Sequence, residues 1–105
     1  MYGLHGKLIA KPGQRDALVA LLLEASRGGP MPGCRLYVVS EIASEPDAIS
    51  ILEVWDDTAA HDASFQLESV RSVIAKGRPL IAGMGEPVEL RRRRRAGAGA
   101  ALTLR

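Results

Sequence analysis

The sequence predicts an α+β chain, an antiparallel sheet with helices on one face. Three observations lead there. Stretches that alternate apolar and polar residues at a period of two, the spacing of a strand, recur along the chain. Between them lie stretches with apolar residues at i, i+3 and i+4, the spacing of a helix. Gly- and Pro-rich turn signals separate the two kinds. A chain of 105 residues is long enough for one domain with one core.

Tyr2 to Lys11 sets Leu4, Gly6, Leu8 and Ala10 against His5, Lys7, Ile9 and Lys11, and reads as the first strand. Pro12-Gly13 ends it. From Gln14 to Arg27 the period changes: Ala17, Leu18, Leu21, Leu22 and Ala25 form one helical stripe, stopped by Gly28-Gly29-Pro30. Cys34 to Ile42 reads as the second strand, with Leu36, Val38 and Ser40 on one face and Arg35, Tyr37, Val39 and Glu41 on the other. Ser44-Glu45-Pro46-Asp47 is a turn by composition and makes a hairpin with the next strand.

That next strand, Ala48 to Trp55, organises the rest. Ile49, Ile51, Glu53 and Trp55 share one face, while Ser50, Leu52 and Val54 share the other. A glutamate inside such a run needs a partner or a cavity, because buried carboxylates are rare alone. Asp56 or Asp57 suits the N-cap of a helix over Thr58 to Phe65. A further helical stretch carries Val70, Val73, Ile74 and Gly77 until Pro79 breaks it. Gly83 to Gly85 reads as a turn and Glu86 to Arg91 as a last short strand.

The order strand, helix, strand, strand, helix, strand is the split βαβ, ferredoxin-like arrangement, with both helices on one face of the sheet. Both faces of the second and third strands are largely apolar, so the helix-free face needs a cover. A second copy laying its sheet there gives a homodimer, a dimeric α/β barrel.

The net charge of +2 conceals two opposite parts. Arg91 to Arg95 and Arg105 hold six of the fourteen basic residues, leaving eight basic against twelve acidic ones in residues 1–90. The sequence thus divides into a folded domain over 1–90 and a basic, flexible tail over 91–105, whose adjacent charges repel and whose Gly/Ala alternation is low in complexity. The acidic domain argues against specific nucleic-acid binding, although the tail offers non-specific affinity that salt would abolish. No apolar run reaches the roughly 18 residues of a membrane span. The opening Met1-Tyr2-Gly3-Leu4-His5 does not read as a signal peptide. With Cys34 the lone cysteine, the expectation is a cytoplasmic protein without an internal disulfide. No His or Cys pair has structural zinc spacing, so no metal site is assigned.

Phosphate loops, His-Glu-x-x-His and Gly-x-Ser-x-Gly elbows are missing from the sequence. Cys34, in a strand beside Arg35, reads as a small core residue rather than a nucleophile. What remains is a set placed on one sheet face: His5, Tyr37, Glu53 and Trp55, joined by His61 from the following helix. Tyr37 and Trp55 offer flat apolar walls, each with one donor, suited to an aromatic ligand. His61 or His5 suits proton transfer near neutral pH. Each residue also has a plain structural role open to it. Tyr37 and Trp55 are common interface residues, Glu53 could pair with Lys7 or Arg35, and His61 could lie on a helix surface beside Asp62.

Several short motifs carry a resemblance: Pro12-Gly13-Gln14, Pro32-Gly33-Cys34-x-x-Tyr37, Glu53-Val54-Trp55, Ala60-His61-Asp62-Ala63-Ser64 and Lys76-x-x-Pro79-Leu80-Ile81. In this order and spacing they resemble the antibiotic-biosynthesis monooxygenase family, quinol monooxygenase type, over roughly residues 2–90. The resemblance implies a ferredoxin-like dimeric barrel. It also implies oxidation of small aromatic quinols, phenols or anthrones by O₂ with no flavin, metal or haem cofactor. Haem-degrading members use an asparagine on the first strand, and this chain contains none. On that reading His61 or His5 is the base, Glu53 the catalytic orienting partner, and Trp55 with Tyr37 the substrate-binding wall. The alternative is a non-catalytic dimer of the same fold that binds a small ligand.

Overall fold

A computed structural model describes residues 1–29, 31–91 and 93. The strands are β1 (Tyr2–Ala10), β2 (Cys34–Glu41), β3 (Ala48–Trp55), β4 (Ile81–Met84) and β5 (Val88–Leu90). The helices are α1 (Arg15–Arg27), α2 (Thr58–Ser64) and α3 (Glu68–Gly77), with a 3₁₀ turn at Arg78–Leu80. Hydrogen bonding orders the antiparallel sheet β2-β3-β1-β4, and β5 pairs with the other half of the same β1 edge. This is the α+β, ferredoxin-like arrangement expected, including the β2–β3 hairpin.

One element differs from the expectation. The Gly83–Gly85 turn is a correction: Gly83 belongs to β4, paired with Ile9, because Ile81 and the backbone around it complete an edge that β5 is too short to fill. The second helical region forms the two stretches read from the sequence, α2 and α3. Asp57 caps α2, its Oδ1 accepting the Ala60 N–H at 2.8 Å, which stabilises a short helix at its orphan donors. Asp56 is left free for the Arg35 guanidinium. The flexible tail assigned to 91–105 falls almost wholly outside the described residues.

The core lies between the sheet and the helices. Leu8, Ala10, Ile49 and Ile51 from the sheet meet Leu18 of α1, with Val19, Leu22, Val39, Leu80 and Ile81 packed around them. Ile49 is 0% exposed and Leu18 1%, so the period-two row of β3 and the stripe of α1 face each other as their spacings require. The same row continues past the core as Glu53 and Trp55. One strand face therefore serves packing at one end and a polar recess at the other.

Gly33 fastens this end of the sheet to α2. Its φ is +83°, a left-handed conformation that glycine adopts readily. A Cβ there would stand 2.6 Å from the Ala60 Cβ. Its carbonyl accepts the Asp56 N–H at 2.8 Å. The Pro32-Gly33-Cys34 motif thus lets the start of β2 approach the start of α2, one turn before His61.

Candidate functional site

Register decides which candidates meet. In antiparallel strands, residues opposite one another share a face. Tyr37 lies opposite Glu53, while Tyr2 lies opposite Trp55 and Leu4 opposite Glu53. All of these face the helices. His5 lies opposite Leu52, on the helix-free face, and its Nε2 is 2.7 Å from the Ser50 hydroxyl. The expectation that His5 joins the set is corrected by this register. Parity within one strand does not reveal which face of its neighbour it matches.

Tyr37, Glu53, Trp55 and His61 line one cavity between β2, β3 and the helices, with an accessible volume of about 130 Å³. Leu22 of α1, Met31, Phe65 and the Val70, Val73 and Ile74 row of α3 complete its largely apolar wall. A wider groove of about 440 Å³ runs past Tyr2, Asp56, Asp57 and Glu89. That groove lies open, and its three carboxylates share the lining with Met1, Thr58, Leu90 and Arg91. The smaller cavity gathers the residues able to do chemistry.

Trp55 is 1% exposed, and its indole Nε1–H donates to Glu53 Oε1 at 3.1 Å. This bond fixes both side chains on adjacent same-face positions. Neither Lys7 nor Arg35 pairs with Glu53: Lys7 bonds Glu45 at 2.8 Å and Arg35 bonds Asp56. Glu53 makes no ion pair among the described residues.

His61 stands in α2 with a side chain only 13% exposed. Its ring centroid lies 5.3 Å from Tyr2, 5.6 Å from Trp55 and 5.2 Å from Phe65. The Trp55 and Phe65 contacts are edge-on, the geometry that aromatic quadrupoles favour. Nδ1 lies 3.2 Å from Asp62 Oδ1, leaving Nε2 for another partner. Asp62 is thus a neighbour of His61, as the surface reading had it, but the ring itself turns inward. Tyr2 escaped the sequence reading. Its signal was the strand parity that pairs it with Trp55, which needs the β1–β3 register to be seen.

Burial pushes the Tyr37 phenol up to about 12, with the negative charges of Glu53 and Cys34 adding to it. Tyr37 is therefore a proton-bearing donor at neutral pH. Burial and then Glu53 also push the Cys34 thiol up, the opposite of what a thiolate nucleophile requires. Tyr2 is raised by burial first, then by Glu89, Asp62 and Glu53. Among the described residues no three His, Cys, Asp or Glu side chains gather as a metal site. No helix among them is long and apolar enough to cross a membrane.

Comparison with known proteins gives the same architecture a family. A structure of a provisionally named antibiotic biosynthesis monooxygenase from Chloroflexus aurantiacus J-10-fl is 51% identical, covering 91% of this chain and 96% of that one at a TM-score of 0.84. A similarly named protein from Deinococcus radiodurans is 28% identical, with 91% and 96% covered and a TM-score of 0.76. Rv0793 from Mycobacterium tuberculosis shares the fold at 21% identity and a TM-score of 0.75, over 90% of this chain and 97% of that one. Among curated proteins no sequence matches. The model of the family described as antibiotic biosynthesis monooxygenase matches residues 1–76, a span holding every residue placed around the recess, and the chain belongs to that family.

Proposed function

We propose that the chain is a cofactor-independent monooxygenase that oxidises a small aromatic quinol, phenol or anthrone with O₂. The observation that carries this reading is the single cavity lined by Tyr37, Glu53, Trp55 and His61. His61 removes a hydroxyl proton from the bound ring through Nε2. The electron-rich anion gives one electron to O₂, and the radical pair joins as a carbon–oxygen bond. Loss of water then breaks the O–O bond, so one oxygen atom stays on the product and the other leaves as water. All four electrons come from the substrate. Tyr37 donates its hydrogen bond to developing negative charge, Trp55 forms the flat wall, and Glu53 orients the ring. The apolar lining keeps water from the radical pair.

In the same reading the protein works as a homodimer in the cytoplasm. Leu36, Val38, Val88 and Leu90 are exposed on the helix-free face, each between 39% and 50%, and Leu52 and Val54 adjoin them. A contiguous apolar patch of this kind marks an interface. A second copy covers it most simply, sheet against sheet.

The test is oxygen uptake in metal-free buffer with a panel of hydroquinones, phenols and anthrones. Uptake that follows one substrate and is lost in His61→Ala supports the oxygenase. Saturable binding without uptake by any member of the panel decides for a non-catalytic ligand-binding dimer.

A further inference from the structure

The cavity holds one carboxylate and no lysine or arginine among the described residues that line it. Three cations of the sheet and of α1 have partners of their own: Lys7 pairs with Glu45, Arg35 with Asp56, and Arg15 with Glu41 at 3.3 Å. Among the described residues Glu53 accepts one hydrogen bond, from Trp55 to Oε1. An ionised carboxylate has room for about four, so Oε2 remains an acceptor. Glu53 lies close enough for its carboxylate to help raise the Tyr37 phenol and the Cys34 thiol, after burial.

Size adds a second limit. The cavity of about 130 Å³ is close to the ~150 Å³ of an engineered apolar cavity that admits benzene. Phe65, at the break between α2 and α3, lines one side with its ring against His61 and is itself 46% exposed.

We infer that the cavity selects a single uncharged ring whose hydroxyl donates to Glu53, and rejects rings that carry a carboxylate, sulfonate or phosphate. The inference rests on the cavity being the substrate site, and it narrows the substrate class to one-ring phenols and quinols. An anionic substituent would enter a recess where no cation answers it and a fixed carboxylate opposes it. A neutral hydroxyl supplies what Glu53 lacks.

Trp55, the one tryptophan of the chain, reports occupancy by its own fluorescence. Titrations at pH 7 compare phenol, 4-hydroxybenzamide and 4-hydroxybenzoate, the last two nearly equal in shape and different in charge. The amide is expected to bind at least ~10-fold more tightly than the carboxylate. In Glu53→Gln, which keeps the shape without the charge, the ratio is expected to fall to within about twofold. Equal binding of amide and carboxylate by the wild-type protein overturns the inference. So does an unchanged ratio in a folded Glu53→Gln, or no response to phenol and the amide into the millimolar range. The wild-type ratio needs no variant, so a Glu53→Gln protein that fails to fold leaves the decision intact. Phenol binding without oxygen consumption sinks the oxygenase reading and leaves the charge selection standing, which separates the two failures.

Discussion

At the scale of single residues, His61 shows how much a short helix can position. Three rings from two strands and a helix end converge on it, and Asp62 holds one nitrogen. In the proposed mechanism His61 moves the proton, and replacing it also removes a ring packed among three others. His61→Ala is expected to lower turnover by ~10²–10⁴-fold, with the far-ultraviolet circular dichroism unchanged. Tyr37 makes a different kind of prediction. Its phenol is raised from 10.0 to about 12, so the folded state holds the proton where the unfolded chain has released it. Stability from this group is complete below pH 10 and is lost as pH rises toward 12. The wild-type protein should lose about 1 kcal/mol more than Tyr37→Phe between pH 9 and pH 11, read from urea midpoints at both values.

Individual elements explain what the chain discloses before it folds. β3 was legible to its last residue, because Ile49, Ile51, Glu53 and Trp55 keep a strict alternation and a capping aspartate follows. α1 was legible for the same reason, its stripe and its glycine stop being local signals. β4 was not: two of the residues beside Ile81 are small, and a glycine that bonds in a sheet edge looks like one that turns. The face of His5 and the role of Tyr2 were hidden for another reason. Both depend on β1–β3 register, which belongs to a pair of strands and is written in neither alone. Gly33 joins elements in a way that can be measured. Gly33→Ala forces a left-handed alanine against Ala60 and should cost roughly 1–3 kcal/mol in denaturant unfolding.

Taken whole, the molecule presents one finished face and one unfinished face. The helices close the first over the cavity. The second leaves Leu36, Val38, Val88 and Leu90 exposed, and light scattering at micromolar concentration should give twice the chain mass of 11.2 kDa. A stable species of single-chain mass would refute the homodimer. The last strand among the described residues ends at Leu90, and removal of residues 92–105 is expected to leave the melting temperature and the dimer unchanged. A marked drop would show that the basic segment packs on the domain. The β2–β3 turn carries a constraint of another order. Ile42 and Glu45 are tied to Ala48 by backbone hydrogen bonds at 3.3 and 3.1 Å, and this clasp sets Tyr37 opposite Glu53. Because a strand repeats every two residues, one residue inserted at the clasp and passed into β2 would carry Tyr37 to the far side of the sheet. Trp55 and Glu53 would stay, held by β1. Among natural variants of this chain that keep a phenol over the cavity, turn lengths that feed into β2 should therefore change in steps of two. In this hairpin, counting residues is a way of counting faces.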